Sequence, residues 1–388
     1  MTKPMHIQSA QVKRDGERAP LLIRRVEAVP VALPLSKPMR MAGVTIAHAH
    51  NILVRIESAD GTLGWGEAAS APTMTGDTLG GLVCAVRDHL APLLTGEDAW
   101  KRPMLARRLR AALLGNAGAH SAVELALIDL AARSAGVPAV ELMGGALRQA
   151  VAPMWLLGNA TLEEDIAEAQ AKHRQGFDFF KLKVGVKALA EDVATTHAVR
   201  KELTAAVPIC ADANCGFTSA AAKRYLDETR DASLLFLEQP LGPTDLKGLT
   251  ALARFSPIPI GADEGIHSVA DIEAHADGGA GGVSLKLIKL GGFSPALEAA
   301  ARAHRQGLAL NIAAKIAESS IASAATVHLA CAVPTVEWGV SLTHFYLAED
   351  IVRTPLLLRN GLVTLPAAPG LGVDVDEDAV ARYRVNKL

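Results

Sequence analysis

At 388 residues the chain is longer than one ordinary domain, so two are expected. Half of the residues are hydrophobic, 4% are aromatic and the formal net charge is −2 without a long basic run. Electrostatics therefore give no reason to propose a nucleic-acid or anionic-membrane partner, and no apolar stretch is long enough to cross a bilayer. The four cysteines (Cys84, Cys210, Cys215 and Cys331) lack zinc-ligand spacing and read as reduced thiols. The mostly polar residues 1–25 read as a flexible leader with no secretory segment, which predicts a cytoplasmic protein.

Residues 25–34 alternate apolar and other side chains, as a half-buried strand does. Strands at 51–58 and 63–68 are joined by Ala59-Asp60-Gly61, a hairpin signal. Helical patterns follow at 79–94, 100–114 and 119–135, so residues 1–150 read as an α+β domain. From residue 151 the rhythm changes to short apolar runs alternating with amphipathic stretches. Candidate strands fall at 153–157, 179–184, 209–213, 234–238, 258–262, 282–287, 308–312 and 335–339. Eight strands spaced by one β-plus-α unit are the pattern of a TIM-type (β/α)-barrel over residues 151–355. A doubly wound open sheet would want a Gly-rich phosphate turn after its first strand, and none is present. The tail, 356–388, carries a strand-like run at 361–365 and is expected to return to the first domain.

The chemistry lies at the strand ends. The second barrel strand carries Lys181 and Lys183, the third ends in Asp212-Ala213-Asn214, the fourth in Glu238, the fifth in Asp263-Glu264, and the sixth carries Lys286. Each step between these groups is about one repeat, which places them around one rim, the C-terminal face where barrel active sites sit. Three converging carboxylates repel one another unless a cation sits among them. Hard oxygen donors without His or Cys favour Mg²⁺, with Mn²⁺ as the substitute. Lysines on the two strands flanking the trio stand on opposite sides of the mouth. Near a cation and partly dry, their ammonium forms are disfavoured, which suits a base that removes the acidified α-proton of a metal-bound carboxylate.

These residues resemble the muconate-lactonizing subgroup of the enolase superfamily, over nearly the whole chain. Gly64-Trp65-Gly66-Glu67 is similar to the capping domain, and Phe180-Lys181-Leu182-Lys183-Val184-Gly185 to the subgroup's Lys-x-Lys, in which the second lysine is the acid/base. Asp212, Glu238 and Asp263 fall on metal-ligand positions, and residues 284–292 match the sixth-strand motif, whose first lysine, Lys286, is the opposite acid/base. The resemblance implies a (β/α)₇β barrel with an N-terminal α+β capping domain, and a homo-oligomer acting on a small carboxylate. It implies that Lys181 lowers the pKa of Lys183, that Asn214 and Glu264 lie near the metal, and that Glu318 is the usual Glu-Ser acid after strand seven. Strand six offers no His–Asp base and strand seven with its exit, 308–315, no His, which sets aside the mandelate-racemase-like subgroup.

Glu337 resembles the acidic residue of lactonizing members at strand eight, and this favours a muconate-type cycloisomerase working through an enediolate. A racemase, epimerase or dehydratase of an N-substituted amino acid is the alternative. Trp155 and Trp338 pack in the core or face a substituted ammonium. In the cap, residues 37–44 are expected to form a loop over the site, where Arg40 pairs with a second substrate carboxylate or stays exposed. His48 and His50 nearby read as structural.

Overall fold

The computed structural model describes residues 18–41, 44–158 and 160–387. The expected leader falls largely outside them. The first domain is built on an antiparallel sheet ordered β1 (Ile23–Met41), β2 (Val44–Ser58), β3 (Leu63–Ala69). Asp60 makes the predicted turn: its carboxylate accepts from Ser58 Oγ (2.5 Å) and the Thr62 amide (3.0 Å), and Gly61 supplies a φ of 85°. The helix Ala117–Ala135 lies directly on β3. A Cβ on Gly66 would stand 2.0 Å from the Ala122 carbonyl oxygen, so only glycine permits this approach. The amide of Trp65, between the two glycines of the motif, donates to the buried Asp129 on that helix (2.8 Å).

β1 and β2 are longer than predicted. Met39 pairs with Ile46 and Arg40 with Thr45, so the segment expected as a free loop is the end of a hairpin. Its tip, Ala42 and Gly43, and the side chain of Arg40 lie outside the described residues. Lys37 forms an ion pair with Glu168 on a barrel helix, and Ser36 Oγ donates to the Tyr346 carbonyl (3.1 Å), which fastens the hairpin along the barrel. His48 and His50 are exposed on β2.

After the short β4 (Ala150–Val151) come the barrel strands: β5 (Trp155–Leu157), β6 (Phe180–Lys183), β7 (Ile209–Asp212), β8 (Leu237–Glu238), β9 (Ile260–Ala262), β10 (Gly282–Leu285), β11 (Ala309–Ala313) and β12 (Val340–Ser341). Each is hydrogen-bonded in parallel to the next, and the Met154 amide donates to the Val340 carbonyl (2.8 Å) to join first to last. This is the (β/α)₇β TIM-type barrel with its α+β cap. The tail runs back to the first domain. β13 (Val363–Thr364) pairs with β4, the Leu371 amide donates to Asp129 (2.6 Å), and Arg384 bridges to Val31 in the cap sheet. Among the described residues no helix is long and apolar enough to cross a membrane.

The eighth strand starts later than the run at 335–339 suggests. Trp338 turns into the barrel floor, stacked on Phe236 at 3.9 Å, and Gly339 follows with a φ of 76° before the sheet begins at Val340. Gly261 and Gly282 make room for the indole; a Cβ on either would stand 2.6 Å from it. The apolar signal of that run belongs to a plug under the barrel, not to a strand.

Candidate active site

Register sets the rim. Lys183 pairs with Asp212 and Asp212 with Glu238, at the last positions of β6, β7 and β8. Asp263 follows β9 immediately, and Lys286 follows β10. Lys181, Lys183, Asp212, Asn214, Asp263 and Lys286 line one pocket at this end, with Met74 reaching in from the cap. The site is thus made by strand ends and closed by the other domain, where a barrel carries its chemistry.

Every carboxylate of the trio is turned onto a lysine. Lys181 is ion-paired with Glu238, and Lys286 with Asp263. Lys183 Nζ stands 2.6 Å from Asp212 Oδ2 and donates to Asn214 Oδ1 (2.8 Å). Burial pulls Lys181 down, but the charges of Glu238 and Asp212 outweigh it and hold the ammonium above its ordinary value. Lys286 is likewise lowered by burial and raised more by Asp263 and Glu264. Burial opposes ionisation of Asp263, yet Lys286 and Lys289 keep it far below the carboxylate range; Lys183 and Lys181, against burial, lower Asp212 from its ordinary value.

Several supporting groups escape sequence reasoning. Lys289, wholly buried, donates to Asp263 Oδ1 (2.6 Å) and the Ser284 carbonyl (3.0 Å) from the turn after β10. Ser284 Oγ donates to Glu238 Oε1 (2.6 Å). Gln239 Oε1 accepts from the Asp263 amide (2.8 Å), so the residue beside one carboxylate positions the next. Asn214 and Gln239 hold φ angles of 42° and 35°, strain of the kind that packing enforces at functional sites. Ser284 and Lys289 were visible in the motif at 284–292; Gln239 carries no sequence signal beyond standing next to Glu238.

The donor set fits a divalent cation. Among the described residues no three His, Cys, Asp or Glu side chains already stand close enough to share one ion, since lysines occupy their oxygens. The acids nonetheless crowd together. Glu264 is pushed up to about 7 by burial and by Asp263 and Asp212, and its Oε2 is buried without a hydrogen-bond partner. Its Oε1 accepts from Asn214 Nδ2 (2.9 Å). An unpartnered carboxylate oxygen among hard-oxygen acids is a donor set of the kind that a divalent cation takes.

Two predicted residues sit elsewhere. β12 pairs Val340 with Ile312, so Glu337 stands beside the beginning of β11, at the opposite end of the barrel from the lysines. It is exposed, and its Oε2 accepts from the Leu310 amide (3.3 Å). The expectation that it acts at the mouth is corrected. Trp155 faces away from the pocket: its Nε1 donates to Glu168 (2.8 Å) and Lys172 Nζ lies 3.8 Å over its ring.

Glu318 is buried at the seam between the domains, accepting from the amides of Lys315 (2.8 Å) and Ala69 (3.3 Å). Next to it Glu67 caps the helix Ser320–Ala332, accepting from the amides of Ser319 (2.9 Å) and Ala322 (3.1 Å). Burial and the facing Glu67 push Glu318 up to about 8, and burial, against the Ser319 donors, pushes Glu67 up to about 7. Both carboxyls stay neutral in the fold where they ionise in the unfolded chain. That stabilisation is complete below the ordinary value of 4.5 and is lost as pH rises through about 7 to 8. The melting temperature is expected to fall over this window, and Glu318→Gln to flatten the fall; an unchanged slope in that variant would contradict the assignment.

Comparison with known proteins agrees with this geometry. Residues 23–144 match the mandelate racemase/muconate lactonizing enzyme N-terminal domain, and residues 164–379 the enolase C-terminal domain-like family. Muconate cycloisomerase 1-2 of Acinetobacter lwoffii is 35% identical, covering 94% of this chain and 96% of that protein. The structure of muconate lactonizing enzyme from Pseudomonas fluorescens complexed with muconolactone superposes with a TM-score of 0.91 at 31% identity, covering 95% of this chain and all of that one. An N-succinyl Arg/Lys racemase from Bacillus cereus reaches 0.89 at 26% identity, covering 94% of this chain and 98% of that one. The chain belongs to the mandelate racemase/muconate lactonizing enzyme family of the enolase superfamily.

Proposed function

We infer that the protein is a cycloisomerase that interconverts a muconate-type dicarboxylate and its lactone through an enediolate. The observation that carries this reading is the rim itself: Lys183 and Lys286 on strands that face each other, with Asp212, Glu238 and Asp263 on the three strands between. Sequence identity of 35% to a muconate cycloisomerase supports the choice within the family. Asp212, Glu238 and Asp263 would hold Mg²⁺, or Mn²⁺ in its place, and the bound ion would supply fixed positive charge for the substrate carboxylate on which negative charge builds.

In the lactonising direction one carboxylate oxygen adds to the conjugated double bond. The electron pair moves to the far carboxylate, and the Lys183 ammonium delivers its proton to the carbon beside it. Atoms balance, since the product is an isomer. The reverse direction begins with Lys183 as the base. Lys181, fixed by Glu238, keeps a second positive charge near the same carboxylate group.

The test is turnover of cis,cis-muconate or muconolactone by the Mg²⁺-loaded protein, followed by product analysis in D₂O. Lactone formation with one deuteron placed at the α-carbon supports the reading. Exchange with inversion of an N-acylated amino acid, dependent on both Lys183 and Lys286 and without lactonisation, would replace it by a two-base racemase.

A further inference from the structure

A fifth lysine belongs to this site. Lys315 lies two residues beyond β11 and lines the same pocket as Lys183, Asp263 and Lys286. The other lysines each hold a carboxylate: Lys181 on Glu238, Lys183 on Asp212, Lys286 and Lys289 on Asp263. Lys315 differs. Its amide and carbonyl are fixed, by Glu318 Oε2 (2.8 Å) and Thr343 Oγ1 (2.8 Å), while its Nζ has no hydrogen bond or ion pair among the described residues.

The charges around that amine do not settle it. Glu318 is the nearby acid, but both of its oxygens are spent on backbone amides and its carboxyl is pushed up to about 8. Lys286 on the neighbouring strand repels it. Burial, against Glu318, pulls the Lys315 amine down to about 8, so near neutral pH it is still largely an ammonium, half-buried and without a counter-ion. An uncompensated cation of this kind is costly to keep, and a substrate anion would offset the cost.

Position says which anion. In an eight-stranded barrel, strands four apart face each other, so the end of β11 lies across the mouth from β7, which carries Asp212. A substrate with one carboxylate at the acidic trio points its other end toward Lys315. We propose that Lys315 is the specificity residue that pairs with the second carboxylate of a dicarboxylate substrate, the one that closes the lactone. This rests on the reading that the first carboxylate lies at Asp212, Glu238 and Asp263. The sequence offered Arg40 for the role; among the described lysines that line the pocket, Lys315 is the one not ion-paired with a carboxylate.

Binding of hexanedioate and of its monomethyl ester to the Mg²⁺-loaded full chain, measured by calorimetry, tests this without turnover. Both ligands keep one carboxylate for the acidic trio, and only the diacid offers a second. The native protein should prefer the diacid by on the order of 10- to 100-fold, the usual range for a charge-assisted hydrogen bond. Lys315→Met should bind both ligands alike at the level of the half-ester, and Lys315→Arg should keep a preference. A diacid preference retained in Lys315→Met, or absent from the native protein, overturns the proposal. Loss of preference in Lys315→Met without any lactonisation by the native protein would sustain the dicarboxylate site and remove the cycloisomerase reading instead. Because Met removes an uncompensated charge, its melting temperature should not fall, which separates lost recognition from lost fold.

Discussion

Lys183→Ala is expected to lower kcat for lactonisation on the order of 10³-fold, with the fold retained. The ammonium is the group at the end of β6 that reaches the pocket, and Asp212 and Asn214 hold it at 2.6 and 2.8 Å, so its position does not depend on substrate. Truncation removes the proposed proton donor of the final step and nothing in the core. Asp212 keeps the nearby charge of Lys181 and its contact with the Asn214 amide (3.0 Å), so the acid is not stranded. Lys183→Arg separates charge from proton transfer: the guanidinium restores the ion pair but stays protonated under all working conditions, so activity should remain low. Turnover within a few fold of native in Lys183→Ala would end the assignment of Lys183 as the acid/base.

The rim was legible because a barrel writes its active site once per repeat. One polar residue after each apolar strand, at steps of one β-plus-α unit, converts sequence spacing into angular position, and the register of β6 to β8 puts Lys183, Asp212 and Glu238 level. Cap geometry was legible in part. Asp60-Gly61 marked its turn, whereas the pairing of Met39 with Ile46 had no local signal to distinguish a long hairpin from a loop. Glu337 was misplaced for a physical reason: Val336-Glu337-Trp338 reads as a strand, yet the indole fills the space above Phe236 and the sheet begins only at Val340. The contacts of Lys289 and Lys315 were hidden differently. Each lies past the end of its strand, and which way a residue turns after a strand depends on the loop. The turn after β10 brings Lys289 back under Asp263, and the amide of Lys315 is tied to Glu318 at the domain seam.

The second large effect is expected at Asp263, where one carboxylate neutralises two ammonium groups. Lys286 and Lys289 have side chains 9% and 0% exposed, and both reach Asp263. Asp263→Asn leaves two buried cations facing a neutral amide, a loss on the order of 3–5 kcal/mol by analogy with broken buried ion pairs. It also removes an oxygen donor from the proposed cation site, so Mg²⁺ should raise the melting temperature of the native protein and not of the variant. The two effects can be separated. Lys289→Met alone also strips the buried ammonium from two backbone acceptors, the Asp263 carbonyl and the Ser284 carbonyl, the latter at 3.0 Å. Combined with Asp263→Asn it removes one of the stranded charges, so the double variant should lose less stability than the two single losses added together. Strict additivity would mean that Lys289 is held by packing and by the backbone carbonyls around it, and that Asp263 owes its ionised state to Lys286 alone.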